Sequence, residues 1–342
     1  MVIIQLAGGL GNQMFQYALY LQLKSLGREV KIDDVSGFVE DRQRVYALAP
    51  FGAAYERADK KELRRMLDSS PFLHAKIRRK LCGRKKKSYF EEDKRYRPQI
   101  LDWDDIYLEG YWQTEKYFRP AAGQVREMFD TDKLVDYITK QTSGGRALQE
   151  WLSEIAATES VSVHMRRGDY LLPANRQLFG DICTEEYYRA AMERMRKMYP
   201  GCVFYLFTND KEWARDWAAD RQAASAVGKG MTKRQERENA GSRETGLPAG
   251  NVPTGSIEIV DLGAFSEQGM DLDYAEFALM SKCRHNILAN SSFSWWASYL
   301  NQNPHKTVLA PDRWLNGWDC QDIYREDMQR IGGTPDSSLA GT

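Results

Sequence analysis

The chain has 342 residues, more than one hydrophobic core comfortably serves, so two domains are expected. Its 48 Lys+Arg balance 48 Asp+Glu, which leaves no global field for nucleic-acid binding and makes any anion site a local one. Five scattered cysteines (Cys82, Cys183, Cys202, Cys283, Cys320) with no C-x-x-C pair indicate neither a disulfide framework nor a zinc site, and reduced thiols fit a cytosol. The N-terminus, Met1 to Leu6, lacks the basic flank and long apolar core of a signal peptide. No apolar run reaches the ~18 residues of a membrane span, so the expected location is cytoplasmic.

Val2 to Leu6 reads as a buried strand, Ala7-Gly8-Gly9-Leu10-Gly11-Asn12-Gln13 as a glycine turn, and Met14 to about Leu26, closed by Gly27, as an apolar-periodic helix. Glycines let a backbone approach a ligand, and a helix N-terminus favours negative charge. A second strand, Glu29 to Ile32, ends in Asp33-Asp34 about 20 residues on, where a dinucleotide-binding unit keeps its ribose acid. The third glycine of that fingerprint is replaced by Met14, however, and Asn12-Gln13 place two amides at the turn, available either to a sugar or to the helix cap.

Asp59 to Lys87 is strongly cationic, with Lys76, Arg78, Arg79, Lys80, Arg84, Lys85, Lys86 and Lys87 crowded together. The default is a solvated helix and loop; the sharper reading is peripheral contact with an anionic membrane or a lipid-phosphate-linked substrate. Asp102-Trp103-Asp104 has the spacing of a D-x-D metal motif but reads better as turn aspartates. Gly110-Tyr111-Trp112-Gln113 through Tyr117-Phe118 is dense in aromatics with polar edges, which suits either core packing or stacking on sugar rings.

Helical sequence from Thr131 to about Ala157, broken at Ser143-Gly144-Gly145, marks the expected junction of a domain over 1–145 with another over 146–342. The strand Val161-Ser162-Val163-His164-Met165 then runs into Arg166-Arg167-Gly168-Asp169. In an α/β protein ligands bind at the carboxyl ends of strands, so two guanidinium forks there suit a phosphate or carboxylate, with a surface ion-pair cluster as the bland alternative. Thr184 opens a helix to about Met198, and the strand Cys202 to Phe207 ends in Thr208-Asn209-Asp210. Residues 223–255 are polar and glycine-rich and read as a flexible insertion. After a strand over Ser256 to Leu262 comes a helix carrying Glu276. The strand His285 to Ala289 then leads into Asn290-Ser291-Ser292-Phe293-Ser294-Trp295-Trp296, whose hydroxyls at a strand-to-helix turn make a second phosphate cradle. The alternation of strands and helices in both halves implies doubly wound parallel sheets.

Four of these stretches together resemble the bacterial and animal α-1,2-fucosyltransferase family, glycosyltransferase family 11. They are Gly8 to Tyr17, Gly110 to Phe118, His164-Met165-Arg166-Arg167-Gly168-Asp169, and Asn290 to Trp296. Each is weak alone; their order is specific. The resemblance implies a GT-B-like enzyme, two Rossmann-like α/β domains facing across a cleft, that moves L-fucose from GDP-fucose to the 2-hydroxyl of a galactose. Inversion and no required metal or other cofactor are implied with it. The acceptor would be a galactose-containing glycan or a lipid-linked oligosaccharide, handled by the N-terminal domain, and the C-terminal domain would bind the donor. Carried over residue by residue, Arg166 meets the β-phosphate, and Arg167 and Asp169 support it. His164 lies near the guanine, Ser291 and Ser292 meet the pyrophosphate, and Asn12 sits by the transferred sugar; Asn209, a polar group at the end of its own strand, is a further donor-binding candidate. Gln13 and Trp112 are candidate sugar contacts. Glu276 stands where the family's guanine-binding acid is usually Asp. Other readings are a transferase of another deoxysugar or linkage, an NAD-dependent oxidoreductase, and a non-catalytic glycan-binding module.

Overall fold

The structure, a computed structural model, describes residues 1–41, 43–68, 73–83, 85–141, 145–227, 254–263 and 272–332. It divides into two compact units. The first comprises Met1–Asp130 with Trp318–Glu326, the second Thr131–Gly317 with the chain from Asp327 onward.

Unit 1 contains, in chain order, β1 (Val2–Gln5), α1 (Leu10–Ser25), β2 (Val30–Asp33), α2 (Lys60–Met66), α3 (Leu73–Cys82), β3 (Ser88–Phe90), β4 (Ile106–Glu109) and α4 (Ala122–Met128). Its sheet has the order β2-β1-β4-β3 with every pairing parallel. The helix after β1 starts at Leu10 rather than Met14, because Gly9 in extended conformation serves as its N-cap without any side-chain capping bond. Asn12 and Gln13 therefore lie in the first helical turn. The segment Trp318–Glu326 joins this unit through Asp322, which accepts from the Tyr96 N–H (2.7 Å) and pairs with Lys116, and through Arg95 on Asp319 (2.8 Å). The basic stretch is largely spent internally: Arg78 pairs with Asp68, Lys87 with Asp105, and Lys85 Nζ donates to the carbonyls of Arg64 (2.6 Å) and Leu67 (2.9 Å). Lys80 and Lys86 are exposed, and Arg84 and the Lys76 side chain lie outside the described residues.

Unit 2 contains α5 (Thr131–Gln141), α6 (Gly145–Ala157), β5 (Ser160–Met165), α7 (Pro173–Phe179), α8 (Glu185–Met198), β6 (Val203–Thr208), α9 (Lys211–Val227), β7 (Ile257–Ile259), α10 (Leu272–Lys282), β8 (His285–Ile287), α11 (Ser292–Leu300), β9 (Val308–Pro311) and β10 (Met328–Ile331). The break near 145 separates α5 from α6 but not the units, because α5 packs on α10 of the same unit. The boundary thus falls at Asp130 rather than 145. The polar stretch begins later than its composition suggests, since α9 continues to Val227; residues 228–253 lie outside the described set.

The sheet of unit 2 is β10-β9-β8-β5-β6-β7, again all parallel. Every residue of β5 and β6 is buried, as strands covered by helices on both faces must be. Val161, Val163, Met165, Phe204 and Leu206 pack with Tyr187, Met192 and Met195 of α8. The chain moves outward from β5 through β6 to β7, then returns to the other side of β5 for β8, β9 and β10. That reversal leaves a crevice between the carboxyl ends of β5 and β8, the position where doubly wound sheets bind ligands. In unit 1 the same reversal lies between β1 and β4.

Candidate active site

At the unit 2 switch point the loop after β5 carries Arg166 and Arg167, and the turn after β8 carries Ser291 and Ser292. One bond ties the two loops together: Tyr170 Oη donates to the Asn290 carbonyl (3.2 Å). Asn290 is 2% exposed and spends its amide on the carbonyls of Phe179 and Trp314 (both 3.2 Å), fixing the turn before α11. Ser291 Oγ accepts the Phe293 N–H (3.3 Å) as the N-cap, and Ser294 Oγ donates back to the Ser291 carbonyl (3.3 Å). Ser292 opens the helix half-buried. The N-terminus of α11 and its positive dipole end are thereby held at the crevice, the arrangement that backbone anion sites use.

The two arginines divide the work. Arg167 lies flat on Trp213, its guanidinium 3.9 Å from the ring centroid, and reaches Asp210 (3.5 Å). It is a support. Arg166 is half-buried with its guanidinium 5.5 Å from the Tyr170 ring, on the loop that leaves β5. Asn209 Oδ1 accepts the Arg167 N–H (3.0 Å), so Asn209 braces the arginine loop. Glycine suits position 168 (φ +21°), because a Cβ there would stand 2.5 Å from Asn209 Nδ2. Asp169 belongs to the loop, but its side chain lies outside the described residues.

His164, near the end of β5, is buried, and its Nδ1 has no hydrogen-bond partner among the described residues. Burial, with the nearby charges of Arg166 and Lys211, pushes its pKa down to about 3, so the ring is neutral. It packs near Phe293 of α11 (ring centroids 5.7 Å apart). Glu276 on α10 pairs with Lys211 Nζ (2.7 Å), which also donates to the Val260 carbonyl (2.7 Å). Burial raises the Glu276 pKa while the lysine opposes it. Phe293 also packs edge-on to Phe277, the neighbour of Glu276, so His164 and α10 both border that ring.

At the unit 1 switch point Gly8 takes φ +74°, and a Cβ there would lie 2.7 Å from Asn12 Nδ2. Asn12 Oδ1 accepts from Gln113 Nε2 (2.7 Å), joining the turns after β1 and β4. Gln16 reinforces this, accepting from the Ala7 N–H (3.0 Å) and donating to the Gly110 carbonyl (2.8 Å). Two expected sugar contacts are corrected by burial. Gln13 is 0% exposed; its amide donates to the carbonyls of Gly8 and Val45 and its oxygen accepts the Ala47 N–H (each 2.8 Å), which leaves nothing for a ligand. Trp112 is also 0% exposed and packs against Tyr89 and Tyr117 in the core. Asp33 is equally spent, accepting from the N–H groups of Val35 and Ser36 (3.0 Å each) and from Tyr107 Oη (2.7 Å), so it does not serve as the ribose acid of an NAD site. Asp102 faces Arg28 (3.4 Å) and Asp104 the N-terminal amine, as turn and surface aspartates do. Among the described residues no three His, Cys, Asp or Glu side chains gather as a metal site, and no helix is long and apolar enough to cross a membrane.

Both units are parallel α/β sheets, and unit 2 has the strand order of nucleotide-binding folds with basic and hydroxyl groups at its switch point. The sequence matches the model of glycosyl transferase family 11 over residues 1–233 and 261–330, and the chain belongs to that family. The unmatched stretch, 234–260, overlaps the polar insertion. An α-1,2-colitosyltransferase of Escherichia coli is 26% identical over 93% of this chain and 95% of its own. The O-antigen biosynthesis glycosyltransferase WbnK of Escherichia coli is 27% identical over 91% and 94%. Galactoside α-(1,2)-fucosyltransferase 1 of Saimiri boliviensis boliviensis is 24% identical over 56% of this chain and 42% of its own.

Proposed function

We propose that the chain transfers L-fucose from GDP-fucose to the 2-hydroxyl of a galactose in a glycan, inverting the anomeric centre and needing no metal. The observation that carries this reading is the pairing at one switch point of the Arg166 loop with the Ser291–Ser292 helix start, tied by Tyr170 to Asn290. Cleavage of the anomeric C–O bond loads negative charge on the β-phosphate, and a guanidinium already in place stabilises that charge as it develops. Ser291, Ser292 and the α11 dipole would take the remaining phosphate oxygens. Guanine would lie by His164, whose buried Nδ1 has no partner among the described residues, and Glu276 would accept from its edge, exchanging part of its bond to Lys211. Asn12, oriented by Gln113, would meet the sugar.

A second reading has support from the colitosyltransferase relative. Colitose is a fucose without its 3-hydroxyl, so a pocket for one differs from a pocket for the other by a single polar partner. Incubation with GDP-fucose, GDP-colitose, GDP-mannose and UDP-galactose, each with a panel of galactosides including lactose and N-acetyllactosamine, separates these readings. GDP-fucose should give the highest rate, unchanged by EDTA, with an α-1,2 linkage in the product. A higher rate with GDP-colitose makes the donor colitose; no GDP release with any pair removes the transferase reading; loss of activity in EDTA removes metal independence.

A further inference from the structure

Unit 1 presents two large aromatic rings to solvent on either flank of one lysine. Tyr111, 36% exposed, follows β4 directly and reaches the glycine turn after β1, where a Cβ on Gly8 would stand 3.2 Å from Tyr111 Cε1. Trp318, 45% exposed, belongs to the segment that returns to this unit. Lys94 Nζ lies 5.7 Å from the Tyr111 ring centroid and 5.9 Å from that of Trp318, so both rings are held within the reach of a short oligosaccharide. Beneath them Glu91, 6% exposed, accepts from Lys94 Nζ (2.8 Å) and from the N–H groups of Tyr111 (3.0 Å) and Trp112 (3.3 Å). The ammonium is therefore neutralised locally, and the backbone of the turn is clamped.

That clamp has a conformational cost. Trp112 adopts φ +55°, a left-handed conformation rare for a bulky residue. Two adjacent aromatics are thereby divided, with Trp112 driven into the core and Tyr111 left at the surface beside the β1/β4 switch point. Exposed rings with polar tips on a charge-balanced bed suit the C–H faces of pyranoses, which offer apolar patches edged by hydroxyls. We infer that Tyr111 and Trp318 form a stacking subsite for neutral sugar rings of the acceptor glycan, with Glu91 and Lys94 holding the rings in place. The inference rests on the glycosyl-transfer reading above.

The test uses the full chain and whichever galactoside of the panel the wild type turns over. Tyr111→Ala and Trp318→Ala should each raise the acceptor KM about tenfold, the worth of one aromatic stacking partner, with kcat and the donor KM within about threefold. Tyr111→Phe should behave as wild type, because the ring and not the hydroxyl does the stacking. Tyr111→Gln, which keeps a polar side chain of similar reach, checks that a raised KM is not a folding defect, and circular dichroism confirms the fold. Titration of the galactoside into the GDP-loaded chain should change tryptophan fluorescence, and Trp318→Phe should abolish the change. If all three ring-removing variants keep the wild-type acceptor KM while Arg166→Ala still slows turnover, the subsite is overturned and the transferase reading stands. If no galactoside is turned over or bound by the wild type, both are overturned.

Discussion

Replacing Arg166 with alanine removes a guanidinium from the loop after β5 and leaves its neighbour Arg167 held on Asp210 and Trp213. A full charge pair at close range in a surface-like medium is worth ~4 kcal/mol. Arg166 is half-buried, so solvent screens part of this, and the differential gain in the transition state falls to ~3 kcal/mol, the usual worth of one preorganised donor. The expected result is a fall in kcat of about 100-fold. Any change in folding is read apart from the rate, so that only a folded variant counts against the chemistry. The assay follows GDP release with donor and galactoside saturating, beside a thermal melt of the same preparation. Arg166→Lys keeps the charge without the planar fork and should fall between the two. A folded Arg166→Ala enzyme with kcat within about threefold of wild type would refute the leaving-group role.

Three further outcomes separate support from chemistry. Gln13→Ala strands the buried Gly8 carbonyl and, in part-buried surroundings, the Val45 carbonyl and the Ala47 N–H, and should cost about 1–3 kcal/mol of stability by urea unfolding; a cost under ~0.5 kcal/mol would contradict these bonds. Gly168→Ala should push Asn209 off the Arg167 N–H and weaken GDP binding about tenfold by calorimetry, whereas unchanged affinity would mean the loop is not poised. His164, held neutral with a pKa of about 3 against an ordinary 6.5, takes no proton in the fold while the unfolded chain does, so its contribution is present above about pH 6.5 and falls away as pH drops toward 3. Between pH 7 and 5 the wild type should lose about 2 kcal/mol more than His164→Gln in urea unfolding; equal changes would show that the ring is not held neutral.

Unit 2 was legible because its signals are local and mutually consistent. β6 is a nearly continuous apolar run, β5 sets valines between its serines and His164, Thr184 caps α8 as its hydroxyl suggests, and the polar residues at the strand ends fall where a parallel sheet gathers them. Unit 1 was less so. β3 and β4 are three and four residues long and the second follows a run of aspartates, so pairing across the sheet, of β4 with β1 and of β3 with β4, decides that they are strands at all. The same holds for Tyr111 and Trp112: composition marks both as aromatic, but only the left-handed backbone at Trp112 decides which faces solvent. Gln13 is a similar case, because its partners Val45 and Ala47 come from a loop that carries no motif. The unit boundary escaped for a related reason, since the packing of α5 on α10 and the return of Trp318–Glu326 are set by distant surfaces.

Every role given to Arg166, Ser291, Ser292, His164 and Glu276 requires a nucleoside diphosphate at the β5/β8 switch point of unit 2. A crystal structure of the chain with GDP checks this. The β-phosphate should lie within hydrogen-bond reach of Arg166 and of the Ser291–Ser292 helix start, with guanine between His164 and Glu276. GDP bound elsewhere, or with its phosphates away from both loops, would rule out these roles.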